Sequence, residues 1–461
     1  MYHSESGFFR FLTIGLIALA VNMASNQMVS SQPEVWIIET VEPGSNMAYD
    51  LSLALNASDV PHISYYEGYP NEVLKYAYRD VSGWQFEIVD DYGDRCSLAL
   101  NAFGWPRISY RKSYGLDDLY YAWRDASGWS IEIVDAIGFV GNSTSLALDD
   151  LGRPRISYYD VTNDYIKYAW RNASGWNTEI ADSSGDFGLG TSLALDTSGH
   201  PHISYVVSSF YHDLKYAYRD ASGWHFEMVD EAATVTEQSS LALDGSGYPH
   251  ISYKATGLKY AYRDASGWHF EMVDPGSAVG AHSSLALDGS GYAHISYCGS
   301  QSNEVRYAYR GTSGWYVETV ESTGGVGSST SLALDVSDNP RISYRDATND
   351  ALKYAYAVDS IILTGSLSGE EVELDWTTVE NTASYWLYGA TNRAYFVPGF
   401  TSPYQYRIGT FPPGATNWST AYGVGNPEIN RTYLVLAVSS VEEVLGMSNR
   451  VGEFDFQVGV P

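Results

Sequence analysis

A five-residue phrase, S-L-A-L-[DN], begins at Ser52, Ser97, Ser145, Ser192, Ser240, Ser284 and Ser331, so successive starts lie 45, 48, 47, 48, 44 and 47 residues apart. Each copy runs through a turn into [HR]-I-S-Y, then K-Y-A-Y-R or a near variant, then D-A-S-G-W or a near variant. A Trp-led run follows, with Glu three residues beyond the Trp. These phrases alternate apolar with small or polar residues at period two and are bounded by Gly, Pro, Asp and Ser, which predicts four strands per repeat. A four-stranded unit of that size cannot bury both faces alone. Radial packing of seven such sheets solves the problem, and the expected fold is an all-β, seven-bladed β-propeller over residues 33–358.

The ends of the array supply a second constraint. The Trp-led run occurs at Trp36, Trp84, Trp129, Trp176, Trp224, Trp268 and Trp315, so its first copy precedes the first S-L-A-L and none follows the seventh. This offset predicts that Trp36–Val41 is the outer strand of the last blade, beside Tyr354–Tyr356, and that the N-terminal strand closes the ring. The S-L-A-L strand, with only Ser and Ala on one side, suits the crowded position next to the axis, which leaves the Trp-led strand outermost. Its glutamates (Glu39, Glu87, Glu132, Glu179, Glu227, Glu271, Glu318) sit beside a strand bearing Lys75, Lys167, Lys215, Lys259, Arg306 and Lys353, then Arg79, Arg124, Arg171, Arg219, Arg263 and Arg310. Cross-strand ion pairs are expected. Seven equivalent glutamates are a lattice feature rather than a catalytic one.

Charge narrows the partners. Asp plus Glu number 55 against 26 Lys plus Arg, a formal net charge of −29, which disfavours nucleic acid. The 39 Tyr and 13 Trp are accounted for largely by the repeat. The two cysteines, Cys96 and Cys298, fall in the second and sixth blades, too far apart around the ring for the roughly 7 Å a disulfide allows. None of the 10 histidines precedes Glu and no Lys follows Gly, so zinc-protease and P-loop signatures are absent. The His or Arg before I-S-Y (His62, Arg107, Arg155, His202, His250, His294, Arg341) forms a ring in which Arg replaces His. That exchange favours packing or hydrogen bonding over metal binding. No metal site is expected; calcium is the one cofactor the acidic loops admit, though no D-x-D-x-D-G loop is present.

Loop lengths separate the two faces. The first-to-second and third-to-fourth turns keep one length, whereas the second-to-third connections and the crossings between blades vary. All variation falls on one face, which makes that face the expected binding surface. Its candidate ligand-binding residues are Tyr66, Glu67, Arg111, Tyr159, Asp160, Lys254, Arg345 and Asp346, with Tyr69, Tyr114, Asp164, Tyr211, His212 and Asp350 nearby. Aromatic faces that stack on sugar rings and carboxylates that accept hydroxyl bonds suit a glycan; an extracellular protein is the other partner considered.

The opposite face carries near-identical turns such as Arg79-Asp-Val-Ser-Gly-Trp84, in which Asp or Ser bonds backbone amides and Gly makes the tight bend. This turn resembles the Asp-box of sialidase-type propellers, with Ser and Asp in a different order. The resemblance implies architecture, and it implies a sialidase-like glycoside hydrolase as the enzymatic alternative. Such an enzyme needs unequal groups gathered in one site, and the strand charges here are spread evenly, so a non-catalytic binding or adhesion protein is the expected function. A structural cell-surface component is the third reading.

Residues 360–461 leave the repeat. Val372, Leu374 and Trp376 alternate with polar residues, and Tyr385–Tyr388 and Thr432–Val438 follow. The pattern resembles a fibronectin type III domain, with Trp376 and Tyr433 as its buried pair, and implies a small β-sandwich acting as spacer or binding module. At the other end, Arg10 and the apolar run 11–21 read as a signal peptide within residues 1–30, too short for the about 20 residues that span a bilayer. A secreted or cell-surface monomer, not inserted in the membrane after cleavage, is the expectation.

Overall fold

The computed structural model describes residues 35–391 and 407–452, less 45–46, 114, 116, 185–188, 208–211, 232–234, 236–237, 300–303, 324, 362, 369–370, 377–383, 414, 421–430, 439–443 and 449–450. The expected signal segment, Tyr114 and Tyr211 lie outside the described residues. Blade 1 is the antiparallel sheet Met47–Leu55, Pro61–Glu67, Val73–Asp80 and Gly83–Asp91, in that order outward from the axis. Blades 2 to 6 repeat it, and blade 7 consists of Val326–Leu334, Pro340–Asp346, Ala351–Ile361 and the N-terminal Val35–Glu42. Glu39 pairs with Tyr354 and Ile37 with Tyr356, so the first strand closes the last blade in the register the repeat offset requires.

Three sevenfold contacts join the blades. In the inner strands, the Leu53 amide donates to Ser331 Oγ, Leu98 to Ser52, Leu146 to Ser97, Leu193 to Ser145, Leu241 to Ser192, Leu285 to Ser240 and Leu332 to Ser284, each at 3.0 Å. A side chain longer than Ser would hold the strands apart; Ala would leave the Leu amide without this acceptor.

Further out, the first Tyr of K-Y-A-Y meets the next blade's Trp edge-on. Centroids lie 5.4 Å apart for Tyr76–Trp129, 5.2 Å for Tyr121–Trp176 and 5.4 Å for Tyr307–Trp36, the last across the closure. Each Trp Nε1 donates to the glutamate of the preceding blade, as Trp129 does to Glu87 at 2.7 Å and Trp84 to Glu39 at 3.2 Å. The hydrophobic core therefore lies between blades: Leu74, Tyr76 and Val89 of blade 1 pack with Leu98, Ile108 and Tyr110 of blade 2.

The ion pairs differ from the expected pattern. The arginine–glutamate pairs run between blades, not across strands of one sheet, because each third strand faces the outer strand of the preceding blade. Arg124 grips Glu87 through Nε and Nη2, both at 2.8 Å, and Arg171 grips Glu132 likewise. The lysines pair with the acid that ends that outer strand instead of with the glutamate: Lys215 with Asp182 at 2.6 Å, Lys259 with Asp230 at 2.8 Å, Lys353 with Glu321 at 2.7 Å. The same acids accept the I-S-Y tyrosine hydroxyls, such as Tyr110 on Asp90 at 2.7 Å.

The I-S-Y serines form one more ring with a single break. Ser109 meets Thr144 at 2.7 Å, Ser157 meets Thr191 at 3.0 Å and Ser252 meets Ser283 at 2.9 Å, each across a blade junction. At the junction where the ring closes, the position facing Ser343 is Leu51, and the Ser343 hydroxyl is buried without a hydrogen-bond partner. The histidines before I-S-Y bond a tyrosine hydroxyl in their own blade, as in His62–Tyr76, His202–Tyr216 and His294–Tyr307. Arg155 and Arg341 turn to Asp149 and Asp335 instead, at 2.8 and 2.7 Å. Cys96 and Cys298 are buried and unbridged.

The strand Ala351–Ile361 does not stop at the propeller's edge. Its last residues, Asp359–Ile361, pair in parallel with Gly446–Ser448, so the expected boundary near 358–360 falls inside one strand. Beyond it, Leu363–Ser368, Glu371–Trp376 and Asn417–Thr420 form one sheet, and Ser384–Thr391, Arg407–Phe411, Arg431–Val438 and Val444–Ser448 belong to another. Trp376 is buried beside Phe411 and Tyr385, with centroids 5.5 and 6.0 Å away; the Tyr433 side chain lies outside the description. Trp386 joins the core between blades 7 and 1.

Two outcomes follow from these contacts. Ser157→Ala should cost about 1 kcal/mol in urea unfolding, the usual worth of a buried hydrogen bond, whereas Ser343→Ala should cost nothing or stabilise. Burial also lowers the His62 pKa to about 4 and shifts His202 and His250 downward. Below pH about 6.5 the unfolded chain takes up protons that the folded chain refuses, so stability should fall as pH drops from roughly 6.5 to about 4. The slope is about 1.4 kcal/mol per pH unit for each histidine so shifted. His62→Gln should flatten the urea-midpoint profile over that window; an unchanged profile would contradict the assignment.

Candidate functional site

The inner strands begin on the variable-loop face, and in six of the seven blades the register to the second strand slips just before the S-L-A-L serine, as between Tyr49 and Ser52 or Asp94 and Ser97. Such a bulge frees a residue from the ladder. The residue two places before the serine is left-handed in five blades: Asp50 (φ 53°), Arg95 (φ 52°), Ser143 (φ 50°), Gly190 (φ 67°) and His282 (φ 50°). Together with Gln238 and Ser329 these residues line an axial cavity of about 170 Å³. A Cβ on Gly190 would come within 2.6 Å of the Gln238 backbone, so the lining is tightest there.

This position holds Asp, Arg, Ser, Gly, Gln, His and Ser around the ring, whereas the S-L-A-L that follows it does not vary. It is therefore chemically uneven in a way that the strand charges are not. Asp50 and Arg95 adjoin: the Arg95 amide donates to Asp50 Oδ2 at 3.2 Å, and the guanidinium lies 3.7 Å from Oδ1. Burial raises the Asp50 pKa, and Arg95 opposes that rise. Acceptors, donors and a protonatable carboxyl thus share one small polar mouth.

Two of the sequence-derived candidates stand at its rim. Arg111 clasps Asp94 through Nε at 2.8 Å and Nη2 at 2.6 Å, and Asp94 lies directly before Arg95. The Asp94 carboxylate raises the Arg111 pKa. Tyr66 is half-exposed; burial raises its hydroxyl pKa, and Glu72, Asp94 and Asp50 act in the same direction. Blades 1 and 2 therefore bring Tyr66, Arg111, Asp50 and Arg95 into one sector.

The other candidates have different surroundings. Glu67, Tyr159, Asp160, Arg345 and Asp346 are buried. Asp160 accepts the Thr162 and Asn163 amides at 3.1 and 3.2 Å, and Asp346 accepts those of Thr348 and Asn349 at 3.1 and 3.0 Å, so both carboxylates fold their own D-x-T-N-D loops. The Tyr159 hydroxyl donates to Asp164 at 2.5 Å, Arg345 reaches Asp350 at 3.4 Å, and Glu67 lies 3.2 Å from Lys75. Lys254 is half-buried at the end of its strand, in another blade. The cavity residues were not among the loop candidates; the signal for them was the change of chemical class two places before the invariant serine.

On the opposite face, the D-A-S-G-W turns are locked as the sequence implies. Asp80, Asp125, Asp220 and Asp264 each accept from the backbone amide at 2.7 Å and the hydroxyl at 2.6 Å of the Ser two residues on. Among the described residues, no group of three or more His, Cys, Asp or Glu converges as a metal site.

No protein-family model matches the chain, and no curated protein sequence matches it. Among solved structures it is similar to a polysaccharide lyase, an ulvan lyase bound to a glucuronic acid–rhamnose sulfate unit. That match has 13% identity and a TM-score of 0.52, covering 68% of this chain and 94% of the lyase. A mutant Aleuria aurantia lectin in complex with a fucose–GlcNAc disaccharide matches at 12% identity and TM-score 0.45, covering 60% of this chain and 98% of the lectin. AofleA from Arthrobotrys oligospora matches at 12% and 0.43, covering 63% and 90%. At 13% identity the likeness to the lyase is one of fold.

Rim and cavity can be separated by experiment. Because Arg111 holds Asp94 with two charge-assisted bonds, Arg111→Ala should lower thermal stability by about 1.5–3 kcal/mol. Gln238→Ala should leave unfolding within about 0.5 kcal/mol of wild type.

Proposed function

We propose that this chain is a secreted, non-catalytic carbohydrate-binding protein whose propeller receives a glycan at the axial mouth of its variable-loop face. The observation that carries the reading is the chemically uneven set Asp50, Arg95, Gln238 and His282 converging on one cavity. A hydroxyl-rich ligand needs donors and acceptors converging from several directions, and this mouth supplies carboxylate, guanidinium, amide and imidazole together. At about 170 Å³ the cavity suits a terminal sugar, with further units lying across Tyr66 and Arg111. The likeness to a propeller that acts on an acidic polysaccharide agrees with this class of ligand. The C-terminal sheets act, in this reading, as a fibronectin-like spacer, and the N-terminal apolar run as the export signal.

Binding to immobilised glycans tests the proposal. Arg95→Gln and Gln238→Ala should each weaken the bound glycan by roughly ten- to a hundredfold, the range for losing one or two buried hydrogen bonds, with unfolding little changed. Failure of every glycan to bind, or binding untouched by both variants, would overturn it.

A second reading, glycan cleavage at the same mouth, is favoured by one observation: the raised carboxyl of Asp50 shares its cavity with His282. Release of new reducing ends or unsaturated products, abolished by Asp50→Asn with binding retained, would place cleavage ahead of simple recognition.

A further inference from the structure

The face with invariant turns is uniform in length but not in charge. Where blades 2 and 3 meet on that face, a groove of about 390 Å³ is lined by Arg107, Arg153 and Arg171 with the rings of Tyr121 and Trp123. That volume falls within the roughly 300–1,000 Å³ of small-molecule sites.

Four positions at which the blades differ meet there. Arg153 stands where the other blades carry Val60, Trp105, His200, Tyr248, Tyr292 and Asn339. Arg107 stands where four of the other blades carry His. The acid that holds Arg155 and Arg341, Asp149 and Asp335 in their blades, is Asn101 in blade 2; among the described residues Arg107 forms no ion pair and donates instead to the Pro106 and Arg124 carbonyls, both at 2.9 Å. The turn acid found as Asp80, Asp125, Asp220 and Asp264 is Asn172 in blade 3, and Asn172 lines the groove.

The arginines outnumber the carboxylates that bond them. Arg153 and Arg155 share one carboxylate, Asp149, at 2.7 and 2.8 Å; Arg171 has Glu132; and Arg107 has none. The Asp125 carboxylate bonds Ser127 in its own turn and lies within electrostatic reach of Arg107 and Arg124 without bonding either. Four arginines, Arg107, Arg153, Arg155 and Arg171, thus share two bonded carboxylates, Asp149 and Glu132, beside two aromatic rings, in a chain whose formal net charge is −29. The Arg171 guanidinium sits over the Trp123 ring at 5.9 Å, which keeps the ring and the charge in one wall.

We propose that this groove is a second binding site, separate from the axial mouth, for a sugar bearing a carboxylate or sulfate. The guanidinium groups receive the anion through charge-assisted hydrogen bonds, and the Trp123 and Tyr121 rings receive the sugar's apolar face. Because part of the attraction is between exposed charges, affinity falls as salt rises.

Calorimetric titration of the full chain with oligoglucuronate, a sulfated glucose oligomer, a neutral glucose oligomer and inorganic sulfate tests this. One of the anionic oligomers should bind at least tenfold tighter than the neutral one at low salt, and which one identifies the anion. Arg107→His with Arg153→Tyr, residues that the repeat itself carries at these positions, should abolish at least tenfold of that affinity. Asn101→Asp with Asn172→Asp, restoring the repeat's acids, should do the same while leaving every arginine in place. Arg95→Gln at the axial mouth should leave this binding unchanged. Equal binding of neutral and anionic oligomers, full affinity for inorganic sulfate alone, or unaltered binding in either double variant would overturn the proposal.

Discussion

A serine hydroxyl accepting one amide proton from the neighbouring blade, repeated seven times at 3.0 Å, sets the geometry around which this molecule is built. Inner strands in a closed ring must approach without a shared backbone ladder, and each Leu amide needs an acceptor. Serine meets both demands with one short side chain. The Tyr–Trp contacts and Arg–Glu bridges lie further out, where radius gives room for larger groups. Closure adds a condition that no single blade can meet: Trp36 must reach Glu318 at 3.4 Å, and the Val35–Glu42 strand must fill blade 7.

Much of this was legible because repetition turns weak local signals into strong ones. Seven serines at one spacing place an inner strand, and a Trp-led run standing one strand too early places the closure. The partners of the charged residues were not legible. Glu87 and Arg79 lie on neighbouring strands of one blade, yet Glu87 bonds Arg124 of the next, because the packing of sheet on sheet, and not strand pairing, decides which charges meet. The burial of the loop acids was not legible for a related reason. Asp160 and Asp346 look like exposed acids in variable loops, but a short loop with several backbone amides pointing inward needs a buried acceptor, and the aspartates supply it.

Chemical variety sits where the repeats disagree. The outer and inner contacts tolerate little change because each is shared with a neighbour, so substitution there propagates around the ring. The bulged position before the serine, at the axial mouth, carries no such duty, and it varies from Asp to Arg to Gln to His. The blade 2–3 groove follows the same logic on the opposite face, where two acids become amides and two positions become arginine. Uniform architecture and uneven function are therefore compatible within one lattice.

Hydrogen–deuterium exchange of the full chain, with and without oligosaccharides, addresses this account most directly. Protection should concentrate at the inner-strand starts near Asp50, Arg95, Gln238 and His282 for a bound glycan, and at the blade 2–3 junction for an anionic one. Protection spread equally over all seven blades, following the repeat and not its departures, would contradict it.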